Sequence, residues 1–100
     1  MRSPLVVYTI TAPRISFDAL KDRTNRAKHG VSLALAARFE WDSAVIWPDT
    51  RKDYGEPRMS CLGYIGLRLF AMAFVERSSE CRIISLRKAN SREVKRYAET

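Results

Sequence analysis

The sequence predicts an α+β domain in which two N-terminal helices and one C-terminal helix pack on one face of an antiparallel β-sheet. Three observations carry that expectation. Capping residues stand before two helical segments near the N-terminus and one near the C-terminus. Apolar runs between residues 58 and 86 are separated by turns short enough for hairpins. The order strand, two helices, four strands, helix shows no crossover pattern of the kind that builds a parallel sheet. A chain of 100 residues, 46% hydrophobic, can bury one modest core and is too short for two.

Residues 1–13, ending at Pro13, carry a β-like run through Val6, Val7, Tyr8 and Ile10 and are expected to be an N-terminal extension to a domain at residues 14–100. A short strand is expected at residues 14–17. Asp18 then offers an N-cap to a polar helix from Ala19 to His29, and Gly30 stops it. Ser32 can cap a second helix with Leu33, Ala36, Ala37 and Trp41 on one face and Leu35 and Phe39 beside it. Residues 44–47 suit a strand, and Pro48 opens a polar loop at residues 49–55. Strands follow at residues 58–64, 69–75 and 81–86, with turns at Gly66 and at Ser78-Ser79. The middle strand is apolar on both faces, which makes it central and part of a core. Asn90 and Glu93 form a capping pair for a basic C-terminal helix.

Eighteen Lys and Arg stand against eleven Asp and Glu, a net charge of +7, so the chain is drawn to a polyanion: nucleic acid, a membrane surface or an acidic protein. The aromatic fraction of 10% marks a folding chain rather than a disordered tail. Cys61 and Cys81 have no Cys-x-x-Cys or His pairing around them, which argues against both a zinc site and a secreted disulfide scaffold and points to the cytoplasm. The apolar stretch at residues 5–10 is too short to span a bilayer or to serve as a signal peptide, so neither export nor a membrane partner is expected.

Three separated segments, N-R-A-K-H-G-V at residues 25–31, D-Y-G-E-P-R at 53–58 and R-I-I-S-L-R-K-A-N at 82–90, together resemble the BrnT family in order and spacing, a similarity that reaches from about Ile15 to Glu99. The resemblance implies a RelE-like ribonuclease toxin fold, toxicity through RNA cleavage, and inhibition by a DNA-binding antitoxin, BrnA. It also implies a heterotetramer with two copies of each protein.

Cutting RNA without a metal or other cofactor needs a group to take the ribose 2′-hydroxyl proton, cations for the pentacoordinate phosphate, and an acid for the leaving 5′-oxygen. His29, the only histidine, suits base or acid, but it also reads as an ordinary helix-end residue whose imidazolium the dipole favours. Lys28 beside it is a phosphate contact or a solvated side chain. Glu56, between Gly55 and Pro57, is the preferred base, and Arg58 offers a forked phosphate ligand; the plainer reading is a Glu56–Arg58 ion pair that fixes the loop.

Arg82, Arg87, Lys88, Arg92, Lys95 and Arg96 are opposed only by Glu93 in their segment. Strand parity puts Arg82 with Ile84 and Leu86, and Arg87 with Ile83 and Ser85, so only one of the two arginines should face the helices unless a bulge intervenes. Arg82 is the preferred phosphate ligand, with a salt bridge to Glu76 as its structural alternative. Arg87, Lys88 and Arg92 are further RNA contacts, whereas Lys95 and Arg96 read as a solvated helix face. Loop-borne Tyr54 is the candidate for base stacking, Trp41 and Trp47 reading as core.

The expected function is therefore a metal-independent ribonuclease toxin with Glu56 and His29 as proton-transfer groups and Arg58, Arg82 and Arg87 on phosphate. Two rivals come from other classes. One is a non-catalytic RNA- or ribosome-binding module, and the other is a subunit whose basic surface matches an acidic protein.

Overall fold

The computed structural model describes residues 13–51, 53 and 55–100. The readings placed on Val6, Val7, Tyr8 and Ile10, and on Tyr54, lie outside the described residues. Along the chain come β1 (Arg14–Ser16), α1 (Ala19–His29), two 3-10 turns (Leu33–Arg38 and Trp41–Ser43), β2 (Val45–Pro48), β3 (Met59–Ile65), β4 (Arg68–Arg77), β5 (Glu80–Lys88) and α2 (Ser91–Ala98).

The α+β class is as expected, but the sheet is mixed. Its order is β1-β5-β4-β3-β2, with β2 to β5 antiparallel and β1 parallel to β5 through Arg14 opposite Glu80 and Ser16 opposite Arg82. The connection between these parallel partners is most of the domain, so the sequence contains no local strand–helix–strand unit to announce it. Ser16 Oγ donates to Glu80 Oε2 at 2.8 Å and secures the short strand.

The Asp18 carboxylate accepts from the Lys21 N–H at 3.2 Å and starts α1, while Gly30, in the left-handed region at φ 76°, ends it by donating to the Arg26 carbonyl. Asn25 is the buried residue of this otherwise polar helix. Its Nδ2 donates to the Leu86 carbonyl at 2.8 Å and to the Val31 carbonyl at 3.0 Å, and its Oδ1 accepts from the Leu86 N–H at 3.1 Å. β5 continues past its three-residue pairing with β1, and the Asn25 amide pairs with Leu86 there as a neighbouring strand would.

The second helix expected from the sequence is a 3-10 turn that stops at Arg38, and Trp41 begins a separate turn. Its inward residues are Leu33, Ala36 and Phe39, whereas Ala37 is exposed. Those three are spaced by three, the period at which side chains of a 3-10 helix eclipse. They pack with Cys61, Phe70, Met72, Phe74, Cys81, Ile83 and Leu86 from one face of the sheet.

Gly63 lies under the Phe39 ring, close enough that an added Cβ would overlap it. Gly63→Ala is therefore expected to destabilise the fold by about 2 kcal/mol through overpacking, read as a lower denaturant midpoint. An unchanged midpoint would mean that the ring moves aside freely.

The opposite face carries Leu62, Leu69 and Ala89, with Trp47, Tyr64 and Ala71, and α2 reaches it through Tyr97. The helices are thus not all on one side of the sheet. Tyr97 packs edge-on to Tyr64 at 5.5 Å and donates to the Ser43 carbonyl at 2.8 Å. Asn90 and Glu93 close the expected capping box at the start of α2.

β4 and β5 shift register between Ala73 and Phe74: Ala73 pairs with Ser85 but Phe74 with Ile83, leaving Ile84 as an extra residue. Arg82 consequently lies opposite Val75 and Arg87 opposite Ala71, both on the face away from α1. The bulge corrects the parity reading, which divided the two arginines between faces.

Candidate active site

The loop at residues 49–58 brings a carboxylate over the end of that second face. The Asp49 N–H donates to the Arg58 carbonyl at 2.8 Å and prolongs the β2–β3 ladder. The buried Asp49 carboxylate takes two 2.9 Å bonds from Arg51. Gly55 turns at φ 83°, a conformation that costs glycine little, and its N–H donates to Asp53 Oδ1 at 2.9 Å. Glu56 and Arg58 then line an open cavity of about 570 Å³, together with Asp49 and Thr50.

Glu56 is paired, though not with Arg58. Arg77 donates to it through Nη2 at 2.7 Å and Nε at 3.3 Å. The Arg77 hydrogen bonds hold the Glu56 carboxyl below the ordinary glutamate value of 4.5, and the charges of Arg77, Arg58 and Arg82 act in the same direction. Glu56 and the Arg77–Glu56 pair are largely solvent-exposed, so screening limits what the pair contributes to stability. Its consequence is chemical: a carboxylate fixed in its ionised form amid three guanidinium groups.

Sequence reasoning did not single out Arg77. The signal lay in the strand register, since Val75 pairs with Arg82 and Arg77 is the next residue of β4 on that face. The Arg82–Glu76 salt bridge weighed from the sequence does not form. Glu76 pairs with Cys81, one position out of phase with Arg82, and so belongs to the helix-covered face.

The remaining sequence candidates lie elsewhere. His29 is exposed in the last turn of α1, next to exposed Lys28. Partial burial, then the charges of Lys28 and Arg87, push its pKa below 6.5. Desolvation and like charge oppose the helix dipole, which on its own favours imidazolium. The groups that perturb His29 do not overlap with those that perturb Glu56, and the structure does not bring the two together.

Arg87 is held by Glu93 through two 2.8 Å bonds and ties β5 to α2. Lys88 and Arg92 are exposed around that junction. Arg96, read as solvated, stacks 4.2 Å over the Trp47 ring, and half-buried Trp47 lies on this face rather than in the main core that holds Trp41.

Among the described residues, no group of three or more His, Cys, Asp or Glu side chains converges as metal ligands do, and no helix is long and apolar enough to cross a membrane. What the cluster offers chemically is a proton acceptor beside cations able to hold a phosphate.

Comparison with protein families gives a match over residues 17–93 to the family described as ribonuclease toxin, BrnT, of type II toxin-antitoxin system. A search of curated proteins finds no match. The matched span takes in α1, the loop carrying Glu56, and β2 to β5.

Proposed function

The chain belongs to the BrnT family of ribonuclease toxins of type II toxin–antitoxin systems, and from that premise we propose that it cleaves RNA without a metal ion, using Glu56 as the base. The observation that carries this reading is the ionised Glu56 carboxylate set among Arg77, Arg58 and Arg82. Glu56 takes the proton of a ribose 2′-hydroxyl, and the freed oxygen attacks the adjacent phosphorus. Arg58 and Arg82 bind the non-bridging oxygens and offset the charge that grows on the pentacoordinate phosphate. Arg77 orients Glu56 and keeps it ionised. The leaving 5′-oxygen takes its proton from water. A carboxylate has about four lone-pair sites, so Glu56 can accept the substrate proton while Arg77 remains bound.

A ribonuclease toxin of a type II toxin–antitoxin system has an RNA target and an antitoxin partner. The proposed partner is a BrnA-like protein in a complex with two copies of each chain, acting in the cytoplasm, its encounter with the toxin speeded by the +7 charge.

The test is a single-turnover pH–rate profile measured in excess chelator. A base must be unprotonated to act, so cleavage falls as the pH drops through its pKa. With Glu56 in that role the fall lies below 4.5, and the rate is level between about pH 6 and 8. A fall centred above 4.5 but below the ordinary imidazole value of 6.5 would transfer the role to His29. Loss of all activity in chelator, restored by magnesium, would sink the metal-free mechanism, and folded protein that binds RNA without cutting it would leave the non-catalytic module.

A further inference from the structure

Beside the Glu56 cavity is a second one that the cleavage mechanism does not use. It is a cleft of about 350 Å³ on the same face of the sheet, walled by Trp47, Arg51, Arg87, Glu93 and Arg96. Its floor holds Ser60 and Ser85, with Ala71 and Ala73 between them and too small to fill it. Asp49 and Thr50 line both cavities, so the two share a wall. Ser85 pairs with Ala73 while Arg82 pairs with Val75, the next residue of β4 on that face, so the floor runs on towards Arg82.

Resting on the ribonuclease reading, we propose that this cleft binds the nucleotide next to the one that is cut, and so lengthens the RNA-binding site beyond the Glu56 cavity. Three arginines and two carboxylates line the cleft, an excess of one positive charge that matches a single phosphodiester. Its volume lies at the small end of the range for ligand pockets and suits one nucleotide.

Arg96 supplies the stacking surface. Its guanidinium carbon already lies over the Trp47 indole, 4.2 Å from the ring centroid, and the residue is exposed. RNA bases stack on guanidinium planes as they do on aromatic rings, and a plane ordered in advance loses little freedom when a base arrives. The Ser60 and Ser85 hydroxyls can donate and accept, which suits ribose and phosphate oxygens. Arg87 is fixed by Glu93, so this wall keeps its shape when the cleft is empty.

The test uses oligouridylates from dinucleotide to hexanucleotide, bound to the full chain carrying Glu56→Gln so that cutting does not intervene. Affinity should rise by about tenfold when the RNA becomes long enough to enter the cleft, and Arg96→Ala or Trp47→Leu in that background should abolish the step. Crosslinking checks this without altering the cleft: 4-thiouridine beside the scissile position should attach to Trp47 or Arg96 in the protein with both residues intact. Affinity that climbs smoothly with length, or a step that survives both substitutions in folded protein, would overturn the cleft assignment. So would crosslinks that avoid this wall. Each readout is of binding, so a protein that shows the step without ever cleaving RNA would refute the catalytic reading and leave the cleft standing.

Discussion

Glu56→Gln is expected to lower the single-turnover cleavage rate by roughly 10²-fold or more, with RNA affinity unchanged or slightly improved. Glutamine keeps the shape and one acceptor for Arg77, but it cannot take a proton from a 2′-hydroxyl, so the loss falls on the transition state. One negative charge among Arg58, Arg77 and Arg82 also disappears, which favours the phosphate of the bound RNA. Rate and affinity therefore move independently, whereas a loop that had merely lost an ion pair would weaken both. Growth arrest on induced expression should disappear with the rate. Folded Glu56→Gln that cuts at the parental rate while His29→Ala is inactive would reverse the assignment.

Asn25→Ala should cost about 3 kcal/mol or more of stability, through three polar groups left without their partner. The Leu86 N–H, the Leu86 carbonyl and the Val31 carbonyl all bond to this one amide. Stranding a buried donor or acceptor costs about 1–3 kcal/mol, far more than a typical bond gains when both partners can return to water. In a domain of this size the loss lowers the melting temperature by roughly 15 °C. Asn25→Asp retains the acceptor for the Leu86 N–H but turns a buried carboxylate oxygen towards the Leu86 and Val31 carbonyls, so at neutral pH it should destabilise at least as much as alanine. A melting temperature within a few degrees of the parent for Asn25→Ala would mean that water or another side chain takes over the strand edge.

Much of this was legible in the sequence, and its legible parts share a cause. Asp18, Gly30, Ser32, Asn90 and Glu93 act on backbone groups a few residues away, so their effect is written locally. The hairpins joining β3 to β4 and β4 to β5 were readable for the same reason. The parallel pairing of β1 with β5 was not, because a three-residue strand finds its partner across the length of the domain. The segment after Ser32 read as an α-helix because Leu33, Ala36, Ala37 and Trp41 fit a period of 3.6, whereas the packing selects Leu33, Ala36 and Phe39.

At the site, Glu56, Arg58 and Arg82 could be named from residue type and loop chemistry. Arg77 could not, because its proximity to Glu56 depends on the register of β4 and β5 and on the path of a loop. Tyr54, the stacking candidate, lies outside the described residues. Arg96 on Trp47 pairs a helix residue with an edge-strand residue that no sequence spacing connects.

Arg82 and Arg87 are an odd number of positions apart, and in a regular strand that separation alone would turn their guanidinium groups to opposite sides. Ile84, the additional residue at the irregularity, restores their phase. The segment between the two arginines is therefore constrained by its count before it is constrained by its composition. Exchange of one apolar side chain for another at Ile83 or Leu86 disturbs packing by a methyl group or two. Gain or loss of one residue would instead rotate an arginine into the space beside Met72 and Phe74, where a charge has no counterion. Point substitutions between the two arginines should therefore be tolerated far better than any change in the number of residues there.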